Sequence, residues 1–350
     1  MTIEQVINEI KPANQKAMQM CENRFDSIAK PLKSLGKLEY AIIKIAGMIE
    51  EHEVEIDKKA LVIMCADNGV VEEKITQTGQ EVTAIVAENF LENKTSVSIM
   101  AGYTNTKLFP IDIGIAKDTK LMNKKIAYGT KNFAKEPAMT KEEAAQAILT
   151  GISTVFELKK KGYQIIATGE MGIGNTTTSS AIASVLLEKS VDEVTGRGAG
   201  LSNEGLIRKI KVINDAILLH QPNKEDMIDI LSKIGGFDIG GLIGVFLGGA
   251  RYRIPVVIDG FISAVAALMA VKMNPLVKDY LLPSHVSKEP AAQMILDEIG
   301  LSPFITCDMC LGEGTGAVAL FPILDMAVRV YQEMSTFEQI KVDAYQPLDA

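Results

Sequence analysis

The sequence predicts an α/β fold, a buried parallel sheet flanked by helices, with a small helical domain beside it. Three observations predict it. The chain has 350 residues, 47% of them hydrophobic, enough to bury a large core. Short apolar runs recur, each ending at a carboxylate and a turn. Helical periodicity fills the intervals between them.

In chain order, the first 50 residues carry helical pattern and no strand before Leu61, which suggests a separate small layer. Leu61-Val62-Ile63-Met64 before Asp67, Leu108 to Ile111 before Asp112, Ile165-Ile166 before Glu170 and Val256-Val257-Ile258 before Asp259 read as buried parallel strands. Ile148, Ile152 and Val155 fall on one face of a helix, which Thr140 opens with Glu143 three residues later as a capping box. A helix from Ala317 to about Glu333 carries the C-terminus back. No low-complexity linker interrupts the chain, so a small domain has to be assembled from the chain ends. The expected division is 46–333 for the large domain, with 1–45 and 334–350 forming the small one and part of 283–310 a candidate addition.

Composition excludes several classes of function. A formal charge of −8 with no basic run argues against a nucleic-acid or acidic-membrane surface, so an anionic substrate has to be held locally. The apolar stretches Gly240 to Ala250 and Ile254 to Val271 are broken by Arg251, Arg253, Asp259 and glycines, and no membrane span is expected. Met1-Thr2-Ile3-Glu4-Gln5 lacks the basic start of a secretory leader, which makes the cytoplasm the expected compartment. Four cysteines make no disulfide framework. The C-x-x-C pair Cys307 and Cys310 has no second pair or histidine to complete a zinc site, and is expected to be two partly buried structural thiols. No metal and no cofactor is expected.

Three glycine-rich turns carry the chemistry. Gly169-Glu170-Met171-Gly172-Ile173-Gly174-Asn175-Thr176-Thr177 lies between a strand and a helix beginning near Thr176. Exposed backbone N–H groups, the helix dipole and hydroxyls make it a candidate phosphate cradle, although a flexible turn with capping threonines has the same composition. It is not a P-loop, since no Gly-Lys-Ser/Thr follows, and it lacks the third glycine of the dinucleotide fingerprint. Gly196-Arg197-Gly198-Ala199-Gly200 precedes a helix through Lys209 and adds a fixed charge. Leu311-Gly312-Glu313-Gly314 leaves one carboxylate uncrowded between glycines, as a general base requires; the alternative is an acid that only complements a helix dipole. The helix would lower the pKa of Glu313 and burial would raise it. Asp67, Asp112, Glu170 and Asp259 could share one crevice at the strand ends, or each could be a turn acid. His52 and His220 lie in polar segments that read as exposed, and only His285 stands near other suggestive residues, so no Ser-His-Asp triad is expected.

These segments resemble the nicotinate-nucleotide:dimethylbenzimidazole phosphoribosyltransferase family. The resemblance runs in order through Ser34-Leu35-Gly36-Lys37-Leu38-Glu39, Ala66-Asp67-Asn68-Gly69-Val70, Gln80-Glu81-Val82-Thr83-Ala84, the Gly169 to Thr177 turn, Gly196-Arg197-Gly198, Gly235-Gly236-Phe237-Asp238-Ile239, Ile258-Asp259-Gly260-Phe261, Pro283-Ser284-His285 and Leu311-Gly312-Glu313-Gly314. It implies a Rossmann-like sheet, a helical domain built from both termini, and a dimer of like or of paralogous unlike chains with active sites near the interface. It also implies the reaction, in which a lower-ligand base displaces nicotinate from nicotinate mononucleotide and gives an α-ribotide. By resemblance Glu313 is the catalytic base, with Glu170 and Lys209 in the same site. Substrate binding is expected at Gly172, Gly174, Asn175, Thr176, Thr177, Arg197, Gly198, Thr78, Gln80, Asp259, Ser287 and Leu311.

Three residues depart from the family pattern. Thr78 and Gly79 stand where many relatives have an aromatic residue and proline, and Asn68 stands where histidine is common. Loss of a flat wall with gain of hydroxyls points the base pocket towards other aromatics as well, phenol and p-cresol among them. Two readings compete with the transferase. A nucleotide-dependent oxidoreductase requires a complete Gly-x-Gly-x-x-Gly after the first strand, which is absent. A non-catalytic subunit that binds nucleotide or needs a paralogous partner is countered by the presence of Glu313, Glu170 and Lys209.

Overall fold

Six parallel strands form the sheet in the computed structural model, which describes residues 1–345. They are β1 (Lys59–Ala66), β2 (Thr106–Gly114), β3 (Met122–Asn123), β4 (Ile165–Met171), β5 (Val256–Ile258) and β6 (Leu281–Pro283). Their order across the sheet is β3-β2-β1-β4-β5-β6, that of a doubly wound Rossmann sheet. The chain winds outward from β1 to β3, then returns to β1's other side with β4. The switch point therefore lies between the C-terminal ends of β1 and β4, where loops diverge and leave a crevice.

The four expected strands are present, and two of them run on through their carboxylates. β2 continues through Asp112 and β4 through Glu170, so these acids lie inside strands rather than in the turns after them. A central strand pairs on both edges and tolerates a polar residue wherever the side chain finds partners. β3 and β6 carried no sequence signal. β3 is two exposed residues, and β6 is a three-residue edge strand ending in Pro283, where the missing N–H is harmless.

The apolar stretch from Gly240 is the helix Phe237–Tyr252, buried almost all round against the helix Lys141–Lys160. A Cβ on Gly151 would sit 2.7 Å from the Val245 backbone nitrogen, so the two helices pack backbone to backbone. The capping box predicted for the partner helix is present, with the Glu143 N–H donating to Thr140 Oγ1 at 3.1 Å. No helix among the described residues is long and apolar enough to cross a membrane.

Both chain ends pack together. The Phe25 ring lies 4.8 Å from that of Tyr331, and Ile28 forms an antiparallel bridge with Thr336. Lys30, between the second and third helices, and Glu39, in the third, form a buried ion pair at 2.8 Å. Buried residues of the N-terminal helices, Val6 and Phe25 among them, are continuous with the core under the sheet. Residues 346–350 of the expected small domain lie outside the described residues.

Candidate active site

A cavity of about 540 Å³ opens beside the switch point, over the C-terminal ends of β4 and β5. The turn after β4 forms its first wall. The chain reverses at Gly174, whose φ of 94° suits glycine, and enters the helix Asn175–Leu187 without a side-chain cap. The Asn175, Thr177 and Thr178 N–H groups donate to preceding carbonyls, while those of Gly174 and Thr176 have no protein acceptor among the described residues. The helix Glu81–Leu91 holds the turn from behind, since the Ile173 N–H donates to Thr83 Oγ1 at 3.1 Å. The Gln-Glu-Val-Thr-Ala segment thus buttresses the cradle.

The second wall is the Gly196–Leu201 turn. Arg197 lines the cavity, but its guanidinium is engaged locally, donating to the Leu201 carbonyl at 2.8 Å and to Asn203. Lys209 does not reach the lining. Its buried Nζ donates to Thr176 Oγ1 at 2.9 Å and to the Gly196 carbonyl at 3.2 Å, joining the two glycine turns from behind.

The third wall carries Glu313, at φ 61° between Gly312 and Gly314. Asp259, at the end of β5, anchors this turn by accepting from the N–H groups of Gly314 (3.1 Å), Gly316 (2.8 Å) and Ala317 (3.1 Å). The start of the helix Thr315–Glu333 is therefore already filled by a carboxylate. Glu313 is half-buried, and its Oε2 is buried without a hydrogen-bond partner among the described residues.

Residues 10–342 match the family described as Phosphoribosyltransferase (DBI_PRT). The chain is 48% identical over 352 residues to a nicotinate-nucleotide--dimethylbenzimidazole phosphoribosyltransferase of Ruminiclostridium cellulolyticum, covering 100% of both. It is 49% identical to the enzyme of that name from Clostridium acetobutylicum, covering 99% of this chain and 100% of the relative. The crystal structure of CobT from Thermus thermophilus superposes with a TM-score of 0.89 at 34% identity, covering 94% of this chain and 99% of that one. The chain belongs to this phosphoribosyltransferase family.

In this phosphoribosyltransferase the cavity is rich in buried carboxyl groups. Burial, reinforced by the negative charges of Asp238 and Asp259, pushes Glu170 up to about 8. Asn175 Nδ2 donates to both Glu170 and Asp238, the latter at 3.1 Å, and burial pushes Asp238 up to about 6. The competing influences on Glu313 resolve towards a raised pKa: burial dominates and Asp259 adds to it, in keeping with a helix end whose N–H groups are already taken. Burial also lowers Lys209 to about 8, against the opposing charge of Glu289.

Of the four crevice acids, Glu170 and Asp259 line the cavity. Asp67 and Asp112 have local partners instead: Asp67 accepts from the Ala116 N–H at 2.8 Å, and Asp112 pairs with Lys125 at 2.9 Å. Gly172, Gly174, Asn175, Thr176, Gly198, Ser287 and Leu311 line the cavity, as does Thr78 at its exposed rim. Thr177 and Gln80 do not. Thr177 is buried in the first helical turn, and Gln80 Nε2 donates to the Asn68 carbonyl at 3.0 Å.

Two further expectations are corrected. Cys307 and Cys310 are exposed, because they sit on an open loop rather than in the core, and Cys310 lines the cavity. His52 and His220 are half-buried, with His220 Nε2 2.7 Å from the Phe133 carbonyl. No group of three or more His, Cys, Asp or Glu is placed to hold a metal ion among the described residues. Sequence reasoning missed His285, Glu289 and Phe261 in the lining and Asp238 behind it. The Pro283 to His285, Ile258 to Phe261 and Gly235 to Ile239 segments marked all but Glu289, yet nothing in their order says which side chains point inward.

Proposed function

We propose that this chain transfers the ribose phosphate of nicotinate mononucleotide to an aromatic lower-ligand base, giving an α-ribotide for cobamide synthesis. The observation that carries the reading is Glu313, whose Oε2 is buried without a hydrogen-bond partner among the described residues, in a cavity that a glycine-rich helix N-terminus also lines. The Gly174 and Thr176 amides receive the substrate phosphate, aided by the helix dipole. Glu313 takes the proton of the attacking base as its nitrogen bonds the anomeric carbon. The bond to the pyridinium nitrogen breaks with its electron pair, and nicotinate leaves. Attack from the face opposite nicotinate converts the β-nucleotide to an α-ribotide. The leaving group is already activated, so the protein has only to position, hold and deprotonate.

A raised Glu313 pKa makes it a stronger base once ionised, which suits a phenolic hydroxyl (pKa about 10) as well as a benzimidazole. Dimethylbenzimidazole is named in the curated relatives. The exposed Thr78 at the rim, in place of a flat wall, favours a broader choice that includes phenol and p-cresol. Lys209 acts as a positioning residue, tying the phosphate turn to the Gly196 turn. The reading includes a cytoplasmic assembly of two chains, like or unlike, for which exposed Ile99 and Tyr103 on one helix offer an apolar surface.

The test is to incubate the purified chain with nicotinate mononucleotide and, separately, dimethylbenzimidazole, phenol and p-cresol, following nicotinate release and α-ribotide. Product from one or more bases is expected. No product, with nucleotide binding intact, would mean that catalysis needs a second subunit; no binding would overturn the reading.

A further inference from the structure

One carboxylate in the cavity has no part in the chemistry above. Glu289 lines the same space, and its Oε2 is buried without a hydrogen-bond partner among the described residues. It rests on the second glycine turn: a Cβ on Gly196 would lie 2.8 Å from its carboxyl carbon, so a side chain there would displace it. Burial disfavours its charge and pushes its pKa up, which the Lys209 ammonium and the Gly198 N–H offset in part. Lys209 in turn bonds Thr176, in the proposed phosphate turn. An orphan buried acceptor costs free energy unless a ligand satisfies it, and such groups in a cavity point to an absent donor.

We infer that Glu289 is a substrate-binding residue that accepts hydrogen bonds from the ribose hydroxyls of the nucleotide, and so selects a ribosyl over a deoxyribosyl substrate. The inference rests on the transferase reading. A carboxylate has only acceptors, so it repels phosphate and pairs with hydroxyl donors; vicinal hydroxyls can occupy both of its oxygens. This chemistry orders the substrate along the cavity. The phosphate lies at Gly174 and Thr176, the sugar hydroxyls against Glu289, and the anomeric carbon faces Glu313. The Lys209 ammonium favours the ionised form of Glu289 and braces the phosphate turn, so one buried cation sets the spacing between the two subsites.

The experiment compares nicotinate mononucleotide with its 2′-deoxy and 3′-deoxy analogues, for the unaltered protein and Glu289→Gln, by calorimetric binding and by kcat/KM with one fixed base. For the unaltered protein, at least one deoxy analogue should bind roughly 10- to 100-fold more weakly, the loss expected for one charge-assisted hydrogen bond. Glu289→Gln should weaken binding of the ribosyl substrate by a similar factor, raise KM more than it lowers kcat, and erase most of the preference over that analogue. Equal binding of all three nucleotides by the unaltered protein overturns the inference, whatever the variant does. So does a folded Glu289→Gln that keeps the full preference. Either result, with turnover of nicotinate mononucleotide intact, leaves the transferase reading standing. Absence of binding and turnover in the unaltered protein sinks both.

Discussion

The molecule contains two turns that look alike in sequence and do opposite things. Gly172-Ile173-Gly174 and Gly312-Glu313-Gly314 each enter a helix through a left-handed glycine, at φ 94° and 91°, with no side-chain cap. In the first, amides at the helix start lack protein acceptors among the described residues and stand open to an anion. In the second, Asp259 has already bonded three N–H groups, and no anion can compete. What the second turn presents instead is its own carboxylate, with the local positive potential spent on Asp259. A glycine-rich helix start is thus an anion site or a carboxylate mount according to what the neighbouring strand end inserts.

That contrast can be broken at either turn. Glu313→Gln should lower kcat by roughly 10²–10⁴ while leaving the fold and nucleotide binding intact, since it removes a base and keeps the shape. Unchanged turnover removes Glu313 from the role. Asp259→Ala leaves three N–H groups without their acceptor and should cost about 3 kcal/mol in a denaturant melt, with activity falling as the Glu313 turn loosens. If stability holds, the anchoring role is wrong. At the open turn, Gly174→Ala forces a side chain into a left-handed conformation and should raise the KM for nicotinate mononucleotide by about tenfold. A fall in kcat alone would mean that the phosphate sits elsewhere.

Smaller effects sharpen the picture. Glu170 is raised to about 8, above its unfolded value, so the folded state binds its proton more tightly. Its contribution to stability is complete below the usual carboxylate range and is lost as pH rises through about 8. Glu170→Gln should therefore flatten the decline of Tm between acid and mildly alkaline pH; an unchanged slope would assign the decline to other groups. Thr78→Tyr should shift base preference towards benzimidazoles by a few-fold, and an unaltered ranking would mean that the rim does not shape the pocket.

Much of the fold is legible in the order of residues alone. The apolar runs ending in Asp67, Glu170 and Asp259 locate the central strands, because strands buried on both faces need continuous hydrophobic residues. The glycine pattern around Glu313 points to an uncrowded carboxylate, and the same two glycines supply the left-handed turns on either side of it. Less legible are Lys209 and Asp259. Both read as groups for the substrate; Lys209 is directed to Thr176 and Gly196, and Asp259, though in the lining, to the Glu313 turn. Glu289 carries no local mark, because its place depends on Gly196, far away in the chain.

By itself the sequence determined the layers, the core strands and the chemical types at the crevice, all of which follow from local periodicity and turn propensity. Tertiary structure decided which helix N-terminus stays open, which acids are paired and which remain unpartnered. Those outcomes depend on contacts between residues such as Asp259 and Gly316, or Asn175 and Asp238, that only the doubly wound topology brings together. A carboxylate's role is set by how many donors reach it and how much water it loses, and both are properties of the folded neighbourhood.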